Sequence, residues 1–326
     1  MNQTCNLRCQ HCHLWRNTDS GKLTERYAAL HATVVREFAD LSPRGSVLIG
    51  TGEPLVEKKH FFNLCEVARE ASLFSMTVTN GTLVESQDQA DELLTRGTDE
   101  VTLSLDSPIE KVHDQLRGSR GAYKKTTECV KMLVDARQRL RLPRRICVSL
   151  LVSNSNYHQI SETCDLVLRL GADKFKLVFL LPTISLTTRQ DSFWDLHSRH
   201  VDVEELMNEI DDCDAEYGLD LKQQWKENIR DYAEALARFH QGGPLLTARS
   251  TCNASEQTIV VEITGLMGMC LSSKFPKIQY RRPGDLRRYW QSPETEKTRA
   301  AMKACREICS TCDLYQKTTT IGAPLR

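Results

Sequence analysis

Through its first 180 residues the chain alternates between two hydrophobic periods. Residues 22–41 (KLTERYAALHATVVREFADL) place apolar side chains at helical spacing with a charged opposite face. A short apolar run follows, Ser46-Val-Leu-Ile-Gly50, and stops in glycines. Such a run reads as a buried parallel strand that ends where backbone must approach something closely. The alternation then repeats: a helix over 57–74, a strand over Ser75–Asn80, a helix over 85–96, and a strand over Val101–Asp106. A long basic helix is predicted over about 121–141, broken by Pro143, and then a strand over Ile146–Ser153. A helix over 156–170 and a strand over Lys174–Leu181, stopped by Pro182, complete the series. Strands separated by helices of about ten to twenty residues imply right-handed βαβ units and a parallel sheet.

Residues 183–250 break this rhythm. They carry Thr/Ser-rich turns, a patch of Phe193, Trp194, His197 and His200, an acidic helix near 202–216 and a second helix near 222–241. A plain connection of this length is unusual in a compact domain, so the segment reads as a helical insert. Beyond it, Gln257–Thr264 and Leu266–Leu271 flank Gly265 as the two arms of a β-hairpin.

Composition narrows the class. The chain has 326 residues, enough for one large domain or a large and a small one, with 43 basic and 43 acidic side chains. That balance gives no pull toward nucleic acid or anionic lipid. No run of about eighteen apolar residues predicts a membrane span, and the polar N-terminus leaves no room for a signal peptide. The 13 cysteines are unevenly spaced, which favours metal ligands and reduced thiols over a disulfide framework. A reducing cytoplasm is the expected compartment. Cys65, Cys129, Cys147, Cys164 and Cys213 fall on apolar faces and read as small buried hydrophobes.

The informative cysteines lie at the two ends. Cys5, Cys9 and Cys12 are separated by three and then two residues. Three thiolates can hold three irons of a 4Fe–4S cubane and leave the fourth open. A zinc knuckle uses the same residue types, but structural zinc sites are closed by four ligands, and no fourth stands nearby. The C-x3-C-x2-C spacing with His11 before the last cysteine resembles the cluster loop of the radical S-adenosylmethionine (radical SAM) superfamily. The resemblance implies that the open iron takes the amino and carboxylate groups of SAM. Gly50-Thr51-Gly52-Glu53-Pro54 looks like the superfamily's GGEP motif with threonine in place of one glycine, and by resemblance meets the SAM amino group; an ordinary strand-to-helix turn is the alternative. The segment from His113 to Gly118, followed by Gly121-Ala-Tyr123, resembles a loop of peptide- and sugar-modifying members, which implies that Arg117 helps hold the SAM carboxylate.

The fold that this resemblance implies is a (β/α)6 partial TIM barrel over 1–182, counting a strand before the cysteine loop. Only Met1–Thr4 precede Cys5, so that strand is very short or begins upstream of this sequence. In such sheets ligands sit at the C-terminal strand ends. Asn80, Ser104, Asp106, Ser153, Asn156 and Leu181 are therefore candidates for SAM contact, although Asn, Ser and Asp also serve as caps and turn-formers.

At the other end, Cys252 and Cys270 stand on the predicted hairpin, and Cys305, Cys309 and Cys312 follow. Cys252, Cys270, Cys309 and Cys312 supply four thiolates, a complete ligand set for a second 4Fe–4S cluster; a zinc ribbon shares the C-x2-C element. The arrangement over 251–326 looks like a Twitch-type accessory domain carrying one auxiliary cluster. Cys305 is left over as a spare thiol, a replacement ligand or a hydrogen donor. The resemblance implies reductive cleavage of SAM by an electron from a flavodoxin or ferredoxin, and hydrogen abstraction from a substrate carbon. The expected substrate is a small polar metabolite (a sugar, aminocyclitol or nucleoside) that is oxidised. Epimerisation, peptide modification and a non-catalytic iron–sulfur scaffold are the alternatives.

Overall fold

The computed structural model describes residues 4–12, 15, 23–50, 52–179, 200–241, 252, 254–270 and 275–305. Five parallel strands form its main sheet in chain order: β1 (Ser46–Leu48), β2 (Phe74–Thr79), β3 (Glu100–Ser104), β4 (Arg145–Val152) and β5 (Lys174–Phe179). Neighbours in sequence are neighbours in space, and the sheet curls into a partial TIM barrel. The sixth strand, expected over Met1–Thr4 or upstream of them, falls outside the described residues except for Thr4, which is not in a strand.

Helices separate the strands: α1 (Glu25–Leu41), α2 (Lys58–Glu70), α3 (Gln87–Arg96), α4 (Glu110–Arg117), α5 (Ala122–Leu140) and α6 (Ile160–Arg169). Their ends follow local chemistry. Thr24 caps α1 by accepting from the Tyr27 amide, and Ser86 caps α3 through the Gln89 amide. α5 starts after Gly121 and α4 ends at Gly118, both with positive φ. Gly118 has a second constraint, because a Cβ there would stand 2.1 Å from the Arg8 carbonyl oxygen. Two sequence expectations are corrected. The helix expected over 57–74 stops at Glu70, since Ser72 turns to φ 54° before β2. The stretch 113–118, read as a loop, is the end of α4, whose buried His113, Leu116 and Arg117 form its inner face.

One face of the sheet is the core. Val101, Leu103, Val148, Leu150 and Leu177 are at most 3% exposed and pack under the helices with Phe61, Leu93 and Leu133. At about 25 cal/mol per Å² of buried apolar area, this layer is the main stabilising contribution. The five thiols expected to be buried are so, each at most 1% exposed.

The described part of the predicted insert contains α7 (Val203–Tyr217), capped by Asp202, and α8 (Gln223–His240). α7 packs on α6, and Phe179 of β5 meets Trp225 and Tyr232 of α8. Phe193, Trp194 and His197 lie outside the described residues. Near the C-terminus the hairpin is shorter than expected. Residues 254–257 form the helical turn α9, so the antiparallel sheet holds only β6 (Val260–Val261), β7 (Leu266–Gly268) and β8 (Ile278–Gln279). The helices α10 (Asp285–Trp290) and α11 (Pro293–Lys303) had no sequence expectation. A second apolar cluster, with Met267, Met269, Tyr280, Leu286 and Met302, seats this small sheet on Val34 of α1.

Candidate active site

The loop carrying Cys5, Cys9 and Cys12 is held over the C-terminal ends of β2 and β3 by a set of directional bonds. The Glu53 amide donates to the Thr4 carbonyl at 2.9 Å, and the Gln10 amide to the Leu116 carbonyl at 2.9 Å. Asn6 donates to Thr82 Oγ1 at 2.8 Å and accepts from Asn80 Nδ2 at 2.9 Å, while that same Asn80 nitrogen lies 3.9 Å from Cys5 Sγ. Trp15 Nε1 donates to the Cys9 carbonyl, and Arg8 lies over the Trp15 ring. Asn6, Thr82 and Trp15 were not singled out by sequence reasoning. Each is an ordinary polar or aromatic loop residue with nothing in its local pattern to mark it.

Glu53 is 1% exposed and its carboxylate is fully engaged. Oε1 accepts from the Leu55 amide at 3.1 Å and from Thr79 Oγ1 at 2.7 Å, and Oε2 accepts from the Asn80 amide at 2.8 Å. Burial raises its pKa against these three donors. Glu53 therefore clasps the end of β2 to the turn after β1. Its neighbour Gly52 takes φ 69°, which a glycine tolerates, and Gly50 and Pro54 flank the same turn. Thr51 lies outside the described residues.

The second knot joins β3, β4 and α4. Arg117 Nη2 donates to Asp106 Oδ1 at 2.8 Å, and its Nε lies 2.7 Å from Oδ2. Burial favours the neutral carboxyl of Asp106, but Arg117, His11 and His113 outweigh it and hold the pKa below the ordinary value. The Asp106 amide donates to His113 Nδ1, and burial keeps His113 neutral with its pKa lowered to about 4. Asn156, wholly buried, donates to the carbonyls of Asp106 and Leu151 and accepts from the amide and hydroxyl of Ser153. Asp106, Ser153 and Asn156 are thus locked to one another. Ser104 closes β3 opposite Ser149 on the other face of the sheet from the helices. Leu181 lies outside the described residues.

Burial pushes the Cys9 thiol up to about 11 although Arg117 acts against it, with Asp106, Cys12 and Cys5 adding to the rise; burial likewise raises the Cys5 thiol. Among the described residues no three His, Cys, Asp or Glu side chains are arranged to hold a single metal ion. By donor chemistry the loop suits a cluster with one open iron: three thiols on one short segment, a buried cation beside Cys9, and no fourth thiol in the segment. In the C-terminal part, Cys252, Cys270 and Cys305 are half-buried, with Cys252 and Cys270 against the second apolar cluster. Cys305 follows the end of α11, and Cys309 and Cys312 lie outside the described residues.

A curled parallel sheet with a cysteine triplet over its C-terminal strand ends defines a class, and residues 1–167 match the Radical SAM superfamily. The chain belongs to that superfamily, whose members use SAM and a 4Fe–4S cluster. Over 181 residues it is 30% identical to the AdoMet-dependent heme synthase of Methanosarcina barkeri, covering 55% of this chain and 48% of that protein. It is 29% identical over 179 residues to the subtilosin biosynthesis protein AlbA of Bacillus subtilis, covering 52% and 36%. The chain therefore spans about half or less of these relatives' length. In fold it matches Streptococcus suis SuiB bound to its precursor peptide SuiA, with TM-score 0.65, 16% identity, 96% of this chain and 68% of that one covered. It likewise matches anSMEcpe with bound AdoMet and a peptide, with TM-score 0.64, 14% identity and 96% and 84% coverage. Among the described residues no helix is long and apolar enough to cross a membrane.

Proposed function

We propose that this protein cleaves SAM reductively and removes a hydrogen atom from a carbon of its substrate, with net oxidation of that substrate. The observation that carries the reading is the tethering of the Cys5–Cys12 loop, through Asn6 to Asn80 at the end of β2 and through Gln10 to Leu116 of α4, where Arg117 and Asp106 lie beside Cys9. In this reading Cys5, Cys9 and Cys12 hold the cluster. Gly50–Pro54, Asn80 and Ser104 line the SAM side, and Arg117, braced by Asp106, Ser153 and Asn156, sets the charge beside Cys9. When bound, the cluster supplies one electron and SAM the alkyl radical that takes the hydrogen. The chain's task is to hold the target C–H close and exclude other hydrogen donors. Segment 183–250 is suited to that covering role.

Cys252, Cys270, Cys309 and Cys312 are proposed to hold an auxiliary cluster in a Twitch-like unit over 251–326, accepting the second electron. A flavodoxin or ferredoxin is the proposed donor of the first. For the substrate, the relatives divide by name between heme synthesis and bacteriocin biosynthesis, and the solved neighbours SuiB and anSMEcpe are bound to peptides by title. We favour a peptide over the small polar metabolite expected from sequence; the AlbA relative and these peptide-bound neighbours support that reading.

Anaerobic incubation of reconstituted protein with SAM and a reductant, followed by mass detection of 5′-deoxyadenosine, tests the central reading. Production by the wild type and its loss in the Cys5/Cys9/Cys12→Ala triple variant are expected; cleavage that persists in the variant refutes it.

A further inference from the structure

Two glycines bound the short connection between α4 and α5, and their surroundings differ. Gly118 takes φ 61° and ψ 31°, and Gly121 takes φ 79° and ψ 6°, so both lie in the left-handed region. An alanine at either position meets the same kind of backbone strain. A Cβ at Gly121 would find nothing within 4 Å. A Cβ at Gly118 would stand 2.1 Å from the Arg8 carbonyl oxygen and 2.7 Å from the carbonyl carbon. An ordinary carbon–oxygen approach is about 3.3 Å, so one methyl group at 118 requires a displacement of about an ångström.

The two sides of this contact yield unequally. On the α4 side, the Ser119 amide donates to the Asp114 carbonyl at 3.0 Å, and the Asp114 carboxylate accepts from the Tyr123 amide at 2.8 Å. Arg117, one residue before the glycine, is tied to Asp106, whose amide donates to His113. The end of α4 is therefore fixed both to β3 and to the start of α5. On the other side, Arg8 is exposed, and its guanidinium donates to the Cys5 and Leu7 carbonyls of its own loop. The Arg8 peptide is the part that gives way. Two residues on, the Gln10 amide donates to the Leu116 carbonyl at 2.9 Å. The last turn of α4 thus carries the loop at Arg8 and at Gln10, one on each side of Cys9.

We propose that Gly118 is a positioning residue for the three-thiol loop: without a side chain it lets the Arg8 peptide rest on the end of α4, which sets the place of Cys9 relative to Cys5 and Cys12. The proposal rests on the reading of these three cysteines as ligands of a SAM-cleaving cluster. Gly118 and Arg8 are both exposed, so neither belongs to the core, and the role of the glycine is confined to this contact. Three thiolates that must meet on one cluster tolerate little error, and a supporting shell loose by about 1 Å degrades such a site.

The test compares four reconstituted holoenzymes: wild type, Gly118→Ala, Gly118→Asn and Gly121→Ala. Each is read for the EPR signal of the reduced protein that responds to SAM, and for its rate of 5′-deoxyadenosine formation. Gly118→Ala should lose or shift the SAM-responsive signal and slow SAM cleavage about a hundredfold, the scale of an ångström of misplacement. Gly121→Ala carries the same strain without the clash, and should keep the wild-type signal and rate. Gly118→Asn separates the causes, because Asn accepts left-handed backbone yet still brings a Cβ; it should behave as Gly118→Ala does. Recovery in Gly118→Asn, or an equal loss in Gly121→Ala, would give the effect to backbone strain and overturn the proposal. So would a wild-type signal and rate in Gly118→Ala. Iodoacetamide labelling reports the fold: Cys129 and Cys147, both 0% exposed, should stay unlabelled in every variant. Their labelling in Gly118→Ala would assign the glycine to the fold as a whole, which also overturns the proposal. A wild type with neither the SAM-responsive signal nor 5′-deoxyadenosine refutes the SAM-cleaving reading itself, whereas a normal wild type with normal Gly118 variants refutes the positioning role alone.

Discussion

Arg117 and Asp106 form a two-point ion pair that is almost wholly withdrawn from water, with Nη2 donating to Oδ1 at 2.8 Å and Nε 2.7 Å from Oδ2. The pair joins the last turn of α4 to the end of β3, directly beside Cys9. Asp106 Oδ1 also accepts from the Leu151 amide, so a third element depends on the same carboxylate. Removing one partner would strand the other charge in a low-dielectric setting.

Asp106→Asn should therefore lower unfolding stability by about 3 kcal/mol, as is usual when one member of a buried pair is lost. Arg117→Lys should recover little, because an ammonium cannot reproduce the two parallel contacts of a guanidinium. Urea denaturation of the three proteins checks this, and a loss under about 1 kcal/mol for Asp106→Asn would show the pair to be energetically idle.

Glu53 accepts three hydrogen bonds at the junction of the β1 turn and β2. Glu53→Ala leaves the Leu55 and Asn80 amides and the Thr79 hydroxyl without that acceptor, at a cost of about 1–3 kcal/mol for each donor left buried. The expected result is a clear drop in melting temperature together with weakened SAM binding, while iron content stays near wild type. Unchanged SAM affinity in a folded Glu53→Gln protein would remove the residue from the SAM side.

The docking of the small C-terminal sheet on the core should depend on pH. His31 Nε2 faces the Glu262 carbonyl at 3.3 Å, and only a ring N–H can satisfy a carbonyl. His31 Nδ1 must then accept from His60 Nε2 at 3.1 Å, which leaves both rings neutral and His60 Nδ1 unpartnered among the described residues. Burial lowers both pKa values to about 4. The unfolded chain, titrating near the ordinary value of about 6.5, binds more protons between those limits, so stability falls as pH drops from about 6.5 to about 4. The loss should be on the order of 3 kcal/mol for the coupled pair. His60→Phe, which retains a ring, should flatten the slope in thermal unfolding across that window; an unchanged slope would place the titrating group elsewhere.

The auxiliary-cluster assignment is tested by iron. Cys252→Ser with Cys270→Ser should remove about half of the reconstituted iron, as expected of one four-iron site out of two. 5′-Deoxyadenosine formation should persist while substrate oxidation fails. Full iron content in the double variant would end the assignment.

The direction of the reaction can be read in deuterated water. Net oxidation yields a product two hydrogens lighter with no new carbon-bound deuterium. A product of unchanged composition with one deuterium at the target carbon would instead establish epimerisation. Loss of that deuterium in Cys305→Ala would then name Cys305 as the donor.

The βαβ series is legible in the sequence because strand and helix write different periods into a chain, and β2 to β5 lie within two residues of their expected limits. The cysteine spacing likewise points to the superfamily without any coordinates, since three ligands to one cluster must be close along the chain or be brought close. What depends on side-chain direction is not legible. Glu53 reads as part of a motif on the SAM side, and nothing local announces its bonds to Thr79 and Asn80, contacts spanning 26 and 27 residues. The partnership of Arg117 with Asp106 is equally hidden, because the sequence around 113–118 reads as a loop and only the helical turn of α4 aims Arg117 inward. Local pattern records which residues share a face. Which face curls inward to the cluster and which packs under helices is decided by strand register. There Val78 and Leu103 part company although both read as strand hydrophobes: Val78 stays 42% exposed on the concave side, and Leu103 is sealed beneath the helices.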